Sequence, residues 1–237
     1  VSKLMIIKGI LYGAYMVILR GKAIKHSWIK KYKGQEEADK YAQQTAYLWG
    51  KYTIKTIGID LDIRGLENIP DEPCVFIGNH TSILDIPIMF YIIDRLVGFV
   101  AKKEVLKVPV LGTWLEKGHC IPLDRENPRE AIKTINHGVE LLKKGYSLAI
   151  FPEGTRSKDG NLGVFKKGSL KLATKAKAPI VPIAIDRAYT SFEKDKKFKP
   201  SKIKVTFGKA INTAELTKEQ EKSLNDDVRS VIESYLS

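Results

Sequence analysis

With 237 residues and no Gly/Ser-rich or charged linker in its middle, the chain can bury one substantial α/β core rather than two smaller ones. Its formal net charge of +13 admits a membrane surface, a nucleic acid or an acidic substrate as partner. The two cysteines, Cys74 and Cys120, lie far apart in apolar strand-like contexts, which excludes a disulfide framework and reads as buried free thiols in a reducing compartment.

From Leu4 to Leu19 only Lys8 is charged, and apolar residues cover every side of the projected helix. Its sixteen residues, at about 1.5 Å each, span roughly 24 Å, short of the ~30 Å hydrocarbon core, so the helix is expected to enter one leaflet rather than cross. No small-residue cleavage site follows Leu19, which argues against a secretory leader. Arg20, Lys22, Lys25, Lys30, Lys31 and Lys33 come next, with Trp28 and Tyr32 among them, a mixture suited to the headgroup layer of an anionic membrane. Residues 1–55 hold eleven Lys/Arg against three Asp/Glu, so the charge is concentrated beside the apolar helix. A second helix over 36–57 places Ala38, Tyr41, Thr45, Leu48, Trp49 and Tyr52 near one face. Residues 1–57 therefore read as a membrane-associated two-helix motif and residues 58–237 as one α/β domain. The expected location is a cell membrane, at its cytoplasmic face, with monotopic or peripheral anchoring.

Within that domain, apolar runs predict strands at 74–78, 97–101, 119–123, 147–151, 180–185 and 203–207. They alternate with helical patterns near 82–94, 127–144, 166–177 and 214–236, so the expected fold is a single central mixed β-sheet flanked by helices. The helix after Asn127 has the clearest start: Asn127 as cap, Pro128 at the first position and Glu130 completing the box. Ile132, Ile135, Val139 and Leu142 recur at helical spacing and are expected to face the core.

Two segments at predicted strand ends carry chemistry. The first, Gly78-Asn79-His80-Thr81-Ser82-Ile83-Leu84-Asp85, follows the run Cys74–Ile77. Residues five apart on one helix point about 140° apart, so His80 must lie off the helix for Asp85 to reach its ring from the first turn. A carboxylate on one ring nitrogen fixes the tautomer and leaves the other nitrogen to take a proton from a hydroxyl. Ser82-x-x-Asp85 is equally a plain capping box, and the residues alone do not choose between these readings. No Gly-x-Ser-x-Gly elbow is present, so a nucleophile is expected to belong to the substrate. The second segment, Phe151-Pro152-Glu153-Gly154-Thr155-Arg156-Ser157, combines a turn-permissive Gly154, a hydroxyl at Thr155 and the planar fork of Arg156, which together suit an anion. A structural Glu153–Arg156 ion pair is the competing reading. The four histidines, His26, His80, His119 and His137, show no metal-ligand spacing.

The order of His80-x4-Asp85, Ala101-Lys102-Lys103-Glu104-Val105-Leu106, Ile121-Pro122-Leu123-Asp124-Arg125, Phe151–Arg156 and Val181-Pro182-Ile183 resembles the PlsC family of glycerolipid acyltransferases, specifically the 1-acylglycerol-3-phosphate acyltransferases, over about residues 66–207. The resemblance implies that His80, oriented by Asp85, is the general base for the free hydroxyl of lysophosphatidate. It implies an acceptor-phosphate site of Arg125, Glu153, Gly154, Thr155 and Arg156, with Lys102 adding positive charge, and places Pro182 in a block tied to the acyl donor or to core packing. The implied product is phosphatidic acid, the implied donor is acyl-CoA or acyl-carrier protein as co-substrate, and no further cofactor or metal is implied. Pro122 departs from the bulky apolar or aromatic residue more usual there, which puts the reach of Arg125 in doubt. The expected partners are the phospholipid bilayer, lysophosphatidic acid and the thioester carrier, and no nucleic acid, because the lysines are not interleaved with a nucleic-acid-binding motif. The alternatives are an acyltransferase for another glycerolipid or lysophospholipid acceptor, and a non-catalytic basic membrane-binding protein. The acyl chain needs an apolar pocket, for which Ile86–Phe90 and Val108–Trp114 are candidates that serve equally as core.

Overall fold

The computed structural model describes residues 3–123, 128–157, 159–166 and 168–236. Its N-terminal part is a helical hairpin. Helix α1 (Lys3–Lys33) continues without a break from the apolar run through the basic stretch, and α2 (Gln35–Ile57) returns after Gly34, whose φ of 92° permits the reversal. Aromatic contacts lock the pair: Tyr15 stacks on Tyr52 at 4.3 Å, and Trp49 Nε1 donates to Tyr12 Oη at 3.0 Å. Leu19, Ala23, His26 and Ile29 form the buried stripe of α1, whereas Ile7, Ile10, Leu11, Val17, Ile18, Ile24 and Trp28 are exposed. Among the described residues no helix is long and apolar enough to cross a membrane.

The domain that follows is a seven-stranded mixed sheet in the order β1-β7-β6-β2-β5-β3-β4, formed by β1 (Ile59–Arg64), β2 (Val75–Gly78), β3 (Val97–Lys102), β4 (Ile121–Leu123), β5 (Ser147–Ile150), β6 (Ile180–Asp186) and β7 (Ser201–Phe207). Every pairing is parallel except β6 with β7. The six expected strands are all present. Strand β1 lies outside them, although Ile59, Leu61 and Ile63 alternate with charged residues as an edge strand does. Strand β4 begins at Ile121 rather than 119, because His119 adopts a left-handed backbone (φ 59°) that turns the chain into the strand.

Alternation along the strands divides the core between two faces. Phe76, Phe99, Ile183, Ile185 and Val205 pack with α3 (Asp85–Ile92), α4 (Leu111–Lys117) and α2, while Val75, Ile77, Leu148, Ile150 and Ile180 pack with α5 (Pro128–Lys143), α6 (Lys171–Ala176) and α7 (Lys218–Tyr235). Helix α2 lies close on α3: a Cβ on Gly50 would stand 2.4 Å from the Pro87 carbonyl oxygen. On α5, Val139 and Leu142 are buried as expected, but Ile132 is 59% exposed. The helix seats Thr134 and Gly138 instead, with Thr134 Oγ1 donating to Pro122 O and Gly138 leaving room for Leu172, so Ile132 rotates out of the seam. The expected cap Asn127 and the site candidate Arg125 lie outside the described residues. Cys74 and Cys120 are buried free thiols, pushed by burial up to about 11 and about 12. Pro182 sits in the core of β6 opposite Ile77 of β2.

The chain runs from β2 to β3 and β4, returns to insert β5 beside β2, then crosses to β6 on the other flank of β2. The strand order reverses around β2, and a crevice beyond the carboxyl ends of β2 and β5 is where such sheets bind ligands.

Candidate active site

Both motif segments leave the sheet at that crevice. Strand β2 stops at Gly78, and Asn79 extends its pairing with a side chain: Nδ2 donates to Ile185 O at 3.0 Å and Ile185 N donates to Oδ1 at 2.8 Å. The next residue, His80, is thereby fixed at the strand's end. Its backbone is held on both sides by the second motif, since His80 N donates to Glu153 Oε1 at 2.7 Å and Ser157 N donates to His80 O at 2.8 Å. Its ring stacks on Phe151 at 4.3 Å and 11°.

The fully buried Asp85 opens α3, one turn later than the helical pattern suggests, because its carboxylate folds back over the preceding loop. Oδ2 lies 2.7 Å from His80 Nδ1 and accepts from the backbone N–H groups of Thr81 and Ser82, each at 2.9 Å. The capping and catalytic readings of this residue are therefore not exclusive: Ser82 N–H is satisfied as in a capping box, while the same oxygen orients the imidazole. With Nδ1–H donating to Asp85, Nε2 carries the lone pair, and no hydrogen bond occupies it among the described residues.

After β5, Glu153 is buried, with Oε1 on His80 N and Oε2 on Gly163 N at 2.8 Å. Burial raises its pKa, and those two N–H donors and the nearby His80 oppose the rise. Its carboxylate thus ties loops together beneath the crevice. Gly154 takes the left-handed turn the motif requires (φ 74°). Thr155 and Arg156 then emerge into a cavity of about 560 Å³ that His80, Phe151 and Gly154 also line. Arg156 is 42% exposed and donates through Nη1 to Glu193 Oε1 at 3.0 Å. Lys102, at the end of β3, faces the same cavity, with Nζ 3.6 Å from Glu104. Ile86, Phe99 and Val105 supply an apolar wall. The structure therefore brings His80, Lys102, Gly154, Thr155 and Arg156 to one cavity, with Asp85 behind the imidazole and Glu153 under the floor. Glu193 and Lys196, which also line it, were not among the sequence candidates. Among the described residues no three His, Cys, Asp or Glu side chains converge as metal ligands would.

Of the two apolar segments considered for an acyl chain, Ile86 contributes to this cavity, whereas Phe90, Val110, Leu111 and Trp114 close a narrow crevice against Met16, Leu19 and Trp49 of the hairpin.

A histidine–carboxylate pair and a guanidinium thus share one crevice of a mixed α/β sheet, an arrangement whose chemistry could take a proton from a hydroxyl beside a bound anion. The acyltransferase family model matches residues 60–186, and the chain belongs to that family, in its PlsC branch. It is 40% identical over 148 residues to a chloroplastic 1-acyl-sn-glycerol-3-phosphate acyltransferase of Brassica napus, a match covering 62% of this chain and 42% of that one. It is 33% identical over 192 residues to the 1-acyl-sn-glycerol-3-phosphate acyltransferase of Limnanthes douglasii, covering 80% and 67% of the two chains. The chain spans about two fifths of the length of the chloroplast relatives it matches. The crystal structure of PlsC, the 1-acyl-sn-glycerophosphate acyltransferase of Thermotoga maritima, superposes with a TM-score of 0.83 at 28% identity over 98% of this chain and 92% of that one.

Proposed function

We propose that this protein transfers an acyl group from a thioester to the free hydroxyl of 1-acyl-glycerol-3-phosphate, forming phosphatidic acid. The observation that carries the reading is the Nε2 of His80, left without a hydrogen bond among the described residues, at a cavity whose rim holds Arg156 and Lys102. The names of the matched relatives supply the acceptor.

In this reading the acceptor's phosphate rests on Arg156, with Lys102 and the Thr155 hydroxyl beside it, and its hydroxyl donates to His80 Nε2. As the hydroxyl oxygen attacks the thioester carbonyl, its proton passes to Nε2, and the Asp85 carboxylate stabilises the imidazolium that forms. Collapse of the tetrahedral intermediate breaks the C–S bond, and the departing thiolate takes the proton back from Nε2. No acyl-enzyme is needed, because the thioester is already activated and the site's contribution is positioning and proton transfer. The donor is acyl-CoA or acyl-carrier protein. The exposed apolar residues of α1, flanked by its lysines, seat the protein on one leaflet at the cytoplasmic face, where acceptor and product reside.

The test is acyl transfer to lysophosphatidate from acyl-CoA and from acyl-carrier protein, in vesicles, with His80→Ala as control. The wild type is expected to produce phosphatidic acid and the variant to lose at least about a hundredfold in kcat. Transfer by the variant at the wild-type rate would remove His80 from the chemistry.

A further inference from the structure

The two motifs also share a side chain that neither contains. Glu193 follows the short 3-10 turn Ala188–Ser191 after β6, and is 4% exposed. Its Oε2 accepts from Ser82 Oγ at 2.6 Å, and its Oε1 accepts from Ile83 N at 2.8 Å and from Arg156 Nη1 at 3.0 Å. One buried carboxylate therefore grips both the loop that carries His80 and the guanidinium that faces the cavity. Both of its oxygens are engaged.

We infer that Glu193 is a positioning residue that keeps the Arg156 fork in register with the His80 loop. The inference rests on the reading of this cavity as the acceptor site. A single long side chain ending in solvent samples many rotamers, and ordering it on each binding event weakens affinity. Anchoring one terminal nitrogen of Arg156 on a buried anion removes that cost in advance and leaves the remaining N–H groups of the fork for phosphate oxygens. Because the same anion fixes Ser82 and Ile83, the separation between the phosphate-binding fork and the imidazole becomes a property of one rigid unit. Electrostatics alone points the other way: an anion beside the fork opposes a phosphate, so removing it would tighten acceptor binding. The sign of the effect separates positioning from charge.

The experiment uses the full chain as wild type, Glu193→Ala, Glu193→Gln, Arg156→Ala and the Glu193→Ala/Arg156→Ala double variant. It measures calorimetric affinity for a short-chain lysophosphatidate below its micelle concentration, and KM values for acceptor and thioester separately. Glu193→Ala is expected to weaken acceptor Kd and raise acceptor KM about tenfold, the loss of charge-assisted hydrogen bonds, while thioester KM stays within about twofold. Glu193→Gln, which retains an oxygen for Ile83 and Arg156, is expected to show a smaller rise of about threefold, and it carries the comparison if the alanine variant does not fold. In the Arg156→Ala background, Glu193→Ala should add less than about twofold, since its effect runs through the missing fork. Tighter or unchanged acceptor binding, an equal rise in both KM values, or full additivity in the double variant would overturn the inference. Failure of the acceptor reading shows separately, as a wild type that neither binds nor acylates lysophosphatidate.

Discussion

Among the described residues two histidine–aspartate pairs of nearly equal length lie at opposite ends of the sheet. His80 Nδ1 meets Asp85 at 2.7 Å beyond the carboxyl ends of β2 and β5; His119 Nε2 meets Asp39 at 2.9 Å beside the amino ends of β4 and β5. Distance does not distinguish them. The surroundings do. Asp85 gives the rest of its accepting oxygen to loop N–H groups, so its imidazole is held with one nitrogen turned toward an open, cation-rimmed cavity. Asp39 instead accepts from Gln35 and Tyr146, each at 2.7 Å, and the His119 ring lies against Tyr146 at 4.1 Å. Burial would raise the pKa of Asp39, but these hydrogen bonds outweigh it and hold the carboxyl below its usual range, while burial and the bond to Asp39 push Tyr146 up to about 12. The second pair is a clasp that fastens α2 to the body. A histidine beside a carboxylate can serve as a base where its ring lines a cavity, as that of His80 does, and serves as a rivet where its ring lies within a side-chain cluster joining two elements, as that of His119 does.

Replacing each histidine is the widest separation available. His80→Ala is expected to cost on the order of a hundredfold to ten-thousandfold in kcat with little change in Tm, whereas His119→Ala should leave kcat within about threefold and lower Tm. Comparable losses of activity at both positions would erase the distinction. Replacing the carboxylates gives a smaller contrast. Asp85→Asn keeps the volume but removes the charge that fixes the tautomer, and kcat is expected to fall about a hundredfold. Asp39→Asn weakens hydrogen bonds to a charged group, worth about 1.5–3 kcal/mol, so thermal unfolding should move down by roughly 5 °C while kcat is nearly unchanged. Steady-state kinetics and scanning calorimetry on the four variants read both axes.

What could be read from the chain follows the same division. His80, Asp85 and the 151–157 turn were legible because each is a local pattern placed after an apolar run, and parallel neighbours β2 and β5 bring the two patterns together. The capping box and the dyad could not be separated in sequence since one oxygen of Asp85 serves both. Glu193 was not legible. It sits in the run Glu193-Lys194-Asp195-Lys196-Lys197, which reads as solvated surface, and it is buried only because the antiparallel return from β6 to β7 lays that loop on Ser82, 111 positions away in sequence. Strand β1 was hidden for a related reason: its partner β7 lies at the far end of the domain, and six half-exposed residues have little apolar run to announce them. The Asp39–His119 pair carries no motif in the sequence, because Asp39 lies in α2 and His119 in the turn before β4, and Tyr146, which also holds Asp39, precedes β5.

The hairpin's attachment has a pH dependence that the His80 end need not share. His26, on the buried stripe of α1, is 2% exposed, with Nδ1 3.3 Å from Lys117 Nζ and its edge toward Trp114 at 6.0 Å. Lys117 has no acceptor lone pair, so Nδ1 accepts from it and the ring is neutral, with Nε2 buried and without a hydrogen-bond partner among the described residues. Burial first, and then the Lys117 charge, lower its pKa to about 4 from the ordinary 6.5; Asp39 opposes the shift and Lys30 adds to it. Between those two values the unfolded chain binds the proton and the folded chain does not, so stability falls as pH drops from about 6.5 toward 4 and is indifferent to this group above about 7. Asp39 adds to the same trend, because a carboxyl whose folded pKa is depressed contributes stability that is lost as pH falls through the acid range. His26→Leu is expected to flatten the slope of Tm between about pH 6.5 and 4.5 by a few degrees, while Asp39→Asn flattens it only at lower pH, below the ordinary carboxyl value of 3.8. Thermal melts of the two variants and the wild type from about pH 7 down to about pH 3 check both. A wild-type Tm that is level from pH 7 to 4.5, or a His26→Leu profile parallel to it, would mean that the imidazole can charge where it stands, and that the α1 interface is wetter than its packing indicates.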